Sequence, residues 1–204
     1  MCLLFESIKL QDGQFVRLPY HQERVNKAFA ALFPDDEPIS LFETLSRHIL
    51  PANGVYKCRV VYDDIVQSVE FTPYVRREIR SLKLVETTVE SCEYKLEERS
   101  AFKTAFDQRG DCDDVILVKN GLLSDTSYSN IALFGGQEWH TPRVPLLYGT
   151  NRAQLLADGQ LIEKDIAVAD LKKYSQIALF NAMVEFGEVV LDVENVTMHS
   201  AQHK

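Results

Sequence analysis

Three short stretches of this sequence carry residue types that can do chemistry. In the run from Tyr94 to Arg99, Lys95 stands four residues before Arg99. On a helix that spacing puts a guanidinium beside the ammonium. A neighbouring cation disfavours the charged amine, and a lysine with a lowered pKa becomes a nucleophile toward carbonyls. The simpler alternative is a solvated face on which Glu97 and Glu98 neutralise both cations. In the run from Pro145 to Leu156, Gly149-Thr150-Asn151-Arg152 reads as a helix start. Its free backbone N–H groups at the positive dipole end suit a phosphate, although Thr150 or Asn151 acting only as a cap explains the same pattern. Between Gly121 and Phe134, Asp125 enters a Ser/Thr-rich turn, Asn130 follows five residues on, and an apolar strand begins. Asp125 and Asn130 either brace the turn or point into a site.

Other chemistries find no support. G-x-S-x-G, H-E-x-x-H, a Walker loop and G-x-G-x-x-G are all missing. His199 and His203 are spaced i, i+4 but lie in a tail without a carboxylate partner, so no metal is expected. The four cysteines, Cys2, Cys58, Cys92 and Cys112, are far apart and never form C-x-x-C, as befits reduced thiols in a cytoplasmic protein. Twenty-two Lys and Arg against 30 Asp and Glu give a net charge of −8 over 204 residues. That balance argues against a nucleic-acid or anionic-membrane partner, which would need clustered basic charge. No apolar run approaches the ~20 residues that span a bilayer, and the start lacks the features of a signal peptide.

The elements that must position these residues follow from periodicity. Cys2 to Lys9, a turn at Gln11-Asp12-Gly13 and Phe15 to Leu18 read as a hairpin. From His21 the period becomes helical, with Val25, Phe29 and Leu32 on one face, and stops before Pro34. Ser40 and Glu43 have capping-box spacing for a second helix reaching about Leu50. Residues 55–62 and 65–72 form a second hairpin, and the charged stretch Tyr74 to Arg80 reads as a linker. The second half predicts strands over 82–89, 114–118, 128–134, 176–180 and 188–193, with short helices over 97–107 and 151–157. Its many turns suggest a partly closed barrel or a bent sheet.

Taken in order, the lysine, the acid with its asparagine, W-x-T-P at Trp139–Pro142 and the Gly-Thr helix start resemble the fold-type IV pyridoxal-phosphate enzymes. This is the class IV aminotransferase family, and the chain is most similar to its 4-amino-4-deoxychorismate lyase-like branch, from about Phe5 to Val190. The resemblance implies an α+β fold: a small N-terminal α/β sandwich over residues 1–80, then a barrel-like α/β domain over 81–204 that binds pyridoxal 5'-phosphate between the two. It also implies a homodimer acting on a small-molecule amino substrate. By the same resemblance the family's helix-borne lysine falls on Lys95, as Schiff-base residue and proton carrier. The acid paired with the pyridine nitrogen falls on Asp125, and the motif's asparagine on Asn130. The H-x-x-R arginine that reaches the phosphate falls on Arg24, after His21. The phosphate cup falls on Gly149, Thr150 and Asn151, with Asn181 and Ala182 beside it.

Departures from the family pattern are specific. Its pyridine partner is more often Glu, one methylene longer than Asp125. Members also carry a stretch before the F-E-[ST]-I match, here Phe5-Glu6-Ser7-Ile8. Branched-chain transaminases usually have Gly-Thr where Asn181-Ala182 stands, which tilts the resemblance toward the lyase. Three activities follow: an aminodeoxychorismate lyase, an amino-acid transaminase of branched-chain or D-amino acid type, or a non-catalytic shortened relative. Arg59 is a candidate grip for a substrate carboxylate and an exposed strand charge otherwise. Tyr94 either stacks near the cofactor or fills the barrel.

Overall fold

The computed structural model describes residues 3–197; Met1, Cys2 and residues 198–204, and with them the His199/His203 pair, lie outside the described residues. β1 (Leu4–Gln11) turns through Asp12-Gly13 into β2 (Gln14–Phe15). Both turn residues have positive φ, 49° and 78°, as the tightest hairpin turn requires. α1 (Leu18–Leu32) follows, with proline in its first turn, and ends ahead of Pro34. α2 (Leu41–Ser46) is capped at Ser40, whose Oγ accepts from the Glu43 N–H at 3.2 Å. β3 (Val55–Tyr62) and β4 (Val66–Pro73) complete an antiparallel sheet of order β2-β1-β3-β4.

Strand alternation sorts this sheet into two faces. Leu4, Ile8, Cys58, Val60 and Tyr62 pack with Val25, Ala28 and Phe29 of α1 into one core. Phe5, Ser7 and Lys9, paired with Val61, Arg59 and Lys57, occupy the other face. Residues 74–80 then run without regular structure.

The remaining strands make two sheets. One has the order β13-β5-β6-β7, from β5 (Leu82–Glu86), β6 (Asp114–Lys119), β7 (Leu122–Thr126) and β13 (Val196–Thr197). The other has the order β10-β9-β8-β11-β12, from β8 (Asn130–Phe134), β9 (Trp139–Pro142), β10 (Ile162–Lys164), β11 (Gln176–Phe180) and β12 (Val190–Asp192). Their apolar faces share one core: Leu82, Ile116 and Leu123 against Ile131, Ile177 and Leu179. Trp139 packs on Phe134 and Phe186. α3 (Ser100–Asp107) and α4 (Thr150–Ala157) are short. The expected helix over 97–107 starts only at Ser100, whereas the Ser/Thr-rich turn is found after Asp125, closed by the Thr126 N–H donating to the Ser129 carbonyl at 2.8 Å. Among the described residues no helix is long and apolar enough to cross a membrane, and no group of three or more His, Cys, Asp or Glu could hold a metal.

Ile177 is fully buried where the two sheets meet. Ile177→Ala should therefore cost about 2–5 kcal/mol of unfolding free energy, measured by urea denaturation.

Candidate functional site

Lys95 is not on a helix. β2 pairs with β1 only at Leu10 and Gln11, which leaves the other end of that edge open. Residues 95–97 fill it: the Phe5 N–H donates to the Lys95 carbonyl at 2.9 Å, the Glu97 N–H to the Leu3 carbonyl at 2.9 Å, and Leu96 bridges Leu4. The governing period is thus two, not 3.6. Tyr94 and Leu96 turn to the α1 core, while Lys95 turns to the opposite face. Its Nζ sits 4.3 Å from the Phe5 ring centroid and donates to Ser7 Oγ at 3.3 Å.

That face opens on a cavity of about 720 Å³ lined by both halves of the chain, including Ser7, Arg24, Lys95, Arg99, Asp125, Asn130, Gly149, Thr150, Asn181 and Ala182. Burial, reinforced by the Arg24 charge, pushes the Lys95 amine down to about 7; Glu6 opposes this, and Arg99 and Lys57 add to it. The expectation that Arg99 would depress the lysine holds, through proximity across the cavity rather than along a helix.

One end of the cavity is built on a buried carboxylate. Glu6 is fully buried and accepts from Arg24 Nε at 2.8 Å and Nη2 at 2.5 Å, and from His21 Nδ1 at 2.5 Å. Arg24 Nη1 reaches the Tyr148 carbonyl at 3.4 Å. Burial alone would raise the Glu6 pKa, but Arg24 and His21 override it and hold it at about 2. Burial keeps His21 below its ordinary value despite Glu6, so the ring is neutral near pH 7. With its Nδ1 proton committed to Glu6, His21 Nε2 accepts from the Thr150 hydroxyl at 3.3 Å. Glu6 thereby fixes both Arg24 and the first residue of α4. The sequence reading passed over it, although a glutamate in phase with Leu4, Ile8 and Leu10 must be buried and needs a cation facing it.

A second buried carboxylate, Asp125, stands in the cavity wall. Its carboxylate accepts from Asn130 Nδ2 at 2.8 Å and from the Leu147 N–H at 2.8 Å, and Asn130 Nδ2 also donates to the Leu147 carbonyl at 2.9 Å. Burial pushes Asp125 up to about 6 against these hydrogen bonds. Gly149 is required by this arrangement: a Cβ there would lie 2.0 Å from Asn130 Oδ1. The α4 start is held in turn by Asn151, whose Nδ2 donates to the carbonyls of Asn181 and Val184 at 3.0 and 3.1 Å. The Asn151 side chain is a brace away from the cavity, leaving only its backbone N–H at the helix end. Asn181 Oδ1 accepts from the N–H groups of Met183 and Val184, at 2.8 and 3.0 Å. Arg17 clamps the same loop, donating to Glu185 at 2.7 and 2.8 Å and to the Ala182 carbonyl at 3.3 Å.

Two expected residues fall outside. Arg59 lies on the cavity side of β3 but pairs with Glu97 at 2.8 Å and stacks over Phe5, so its guanidinium is committed and does not line the cavity. Tyr94 packs into the α1 core, neither stacked in the cavity nor filling the barrel. Cys58 and Cys112 are free thiols.

Two outcomes test this construction. Because the Glu6 pKa drops from 4.5 to about 2 on folding, its stabilising contribution is whole above pH 4.5 and is lost as the pH falls toward 2. Glu6→Gln, which leaves Arg24 buried and unmatched, should lower stability by about 3–5 kcal/mol at neutral pH and flatten the melting-temperature profile across that acid window. Gly149→Ala should force Asn130 out of its place, lowering the melting temperature and freeing Asp125, read as a shifted carboxylate resonance by NMR.

The comparisons agree with this geometry. The model of the amino-transferase class IV family matches residues 72–191. An uncharacterized protein of Haemophilus influenzae is 31% identical over 185 residues, covering 88% of this chain and 97% of its own length. A candidate 4-amino-4-deoxychorismate lyase of Haemophilus somnus superposes with a TM-score of 0.84 at 29% identity, over 91% of this chain and 98% of its own. A hypothetical aminotransferase of Mycobacterium tuberculosis in its PLP-bound form has a TM-score of 0.74 at 18% identity, over 91% of this chain and 79% of its own, and shows the shared fold. The α+β arrangement of sheets and short helices is that of fold type IV, and the chain belongs to the class IV aminotransferase family of pyridoxal-phosphate enzymes.

Proposed function

We propose that the chain is a pyridoxal-phosphate-dependent lyase that converts 4-amino-4-deoxychorismate to p-aminobenzoate and pyruvate. The carrying observation is an amine held near neutrality at Lys95, in a cavity with a cationic and amide-lined cradle at one end and a buried carboxylate in its wall. The 29% identity to the Haemophilus somnus protein supports the lyase over the transaminase.

The residues present fit the cofactor. Lys95 would hold it through Nζ. Arg24 and the backbone N–H groups at the start of α4, Thr150 and Asn151, would meet its phosphate, because a helix start and a guanidinium together neutralise a dianion without metal. Asn181 and Ala182 complete that end. Asp125 stands in the wall as the partner for the ring nitrogen. Its raised pKa is the mark of a buried carboxylate lacking a counter-charge, and a protonated nitrogen beside it would return it to the ionised form. When bound, pyridoxal phosphate supplies an electron sink for the carbon that loses a proton.

The chain's own residues then act on protons and position. Lys95 Nζ, neutral for about half of the molecules near pH 7, accepts a proton from the substrate carbon and returns one where the pyruvate fragment departs. Phe5 packs beneath that amine, and Ser7 Oγ keeps it aimed when it is free. Asn130 holds Asp125 in the wall, and Glu6 holds Arg24 at the cradle. Atoms balance without water, oxidant or amino acceptor: the substrate divides into the aromatic amine and pyruvate.

Incubation with the cofactor should give a yellow protein whose visible band is trapped by borohydride on Lys95. Pyruvate release from aminodeoxychorismate should proceed without a keto-acid acceptor. Lys95→Ala should abolish the trapped adduct and lower kcat by about 10²–10⁴-fold or more. Because the amine titrates near 7 rather than 10.5, the rate of band formation should climb through pH 7 and level off above it. Keto-acid-dependent turnover in place of pyruvate release would make the enzyme a transaminase. A colourless protein that takes up no cofactor would overturn both readings.

A further inference from the structure

Most cations close to the cavity already have partners. Arg24 is matched by Glu6, Arg17 and Lys9 by Glu185, and Arg59 by Glu97. Lys57 differs. It lies on β3 in register with Lys9 and Thr72, on the face that carries Ser7, and it lines the cavity half-buried. Among the described residues its ammonium has no hydrogen bond and no ion pair. It also stands close enough to Lys95 to disfavour that amine's charge.

Arg76 and Arg77 continue the same wall beyond β4. Their guanidinium groups donate to main-chain carbonyls, Arg76 to Glu188 and Arg77 to Asp113, and not to carboxylates. Asp114 also lines the cavity; burial pushes its carboxyl up, and its hydrogen bonds and the Arg77 charge oppose that. Among the described residues, Glu185, paired with Lys9 beside Lys57, and Glu188, near Tyr74 with Arg76 and Arg77, are the other acids in this region, and neither makes an ion pair with Lys57, Arg76 or Arg77. These cations come from β3 and residues 76–77, separate elements from α1, α4 and residues 181–184, which supply the cradle. A half-buried ammonium beside other cations is costly until an anion meets it.

We propose that Lys57, with Arg76 and Arg77 at the rim, forms a second anion subsite that selects amine substrates bearing two carboxylates over those bearing one. The inference rests on reading the cavity as the cofactor-dependent active site, and it adds the residues that would meet the carboxylates of the substrate. One carboxylate would take Lys57 through a charge-assisted hydrogen bond. The other would be met by the two guanidinium groups where the cavity opens.

The test titrates cofactor-loaded protein with glutarate and with butyrate, dead-end acids of similar length with two carboxylates and one, and follows both by calorimetry. Glutarate should bind about tenfold more tightly. Lys57→Met should reduce that preference to about twofold, and Lys57→Arg should keep most of it. Equal binding of the two acids to the unaltered protein, or a tenfold preference that survives both Lys57→Met and the Arg76→Ala/Arg77→Ala pair, would overturn the subsite. If Lys57→Met does not fold, the arginine pair decides. Cofactor retention is read separately from the visible band. A protein that never acquires the band defeats the functional reading, and the same acid comparison on the unloaded chain still decides the subsite.

Discussion

The structure depends on the pairing of residues 95–97 with the open end of β1. Two backbone hydrogen bonds and one bridge set the register there, and register decides which side chains face the cavity. A slip of one residue would send Lys95 into the α1 core and turn Leu96 and Tyr94 toward the cavity. Burial of Tyr94 and Leu96 among Leu4, Val25 and Phe29 therefore does more than stabilise the first half. It selects the one register in which an amine faces Asp125 and the α4 start across the cavity.

Charge separation is the second organising constraint. The chain is acidic overall, yet among the charged residues lining its cavity cations outnumber acids, and the two buried acids in the wall are held by neutral donors: Asp125 by Asn130 and the Leu147 N–H, Asp114 by Ser127 and the Val115 N–H. Glu6 stands behind this lining, not in it, so Arg24 is anchored without a negative charge at the surface that meets ligand. Withdrawal from water strengthens each electrostatic interaction within such a cavity.

Much of this was legible in the sequence, for identifiable reasons. β11 appears at the apolar run read as a strand, 176–180, and the hairpin of β3 and β4 follows from two β-rich runs around Asp63-Asp64. Lys95, Asp125, Asn130, Gly149 and Thr150 converge on one cavity. What escaped depends on distant partners. Lys95 and Arg99 have helical spacing by coincidence, and only the unfilled edge of β1, fixed by the length of β2, makes that segment extended. Arg59 looks available until Glu97 is brought against it by the same pairing. Asn151 keeps the backbone N–H that suits a phosphate, but the work of its side-chain amide, donating to the carbonyls of Asn181 and Val184, could not be read from the sequence. Gly149 looked like a residue that admits a ligand, and the group it admits is the Asn130 side chain.

The segment that presents the reactive amine is also what blunts an exposed strand edge. Unpaired N–H and C=O groups along β1 would be a template for another chain to pair with, so the residues that position the amine also guard against self-association. Loosening that segment to admit a larger substrate would uncover an adhesive border at the same time. Catalytic adaptability and resistance to aggregation are thus set against each other in the same three residues.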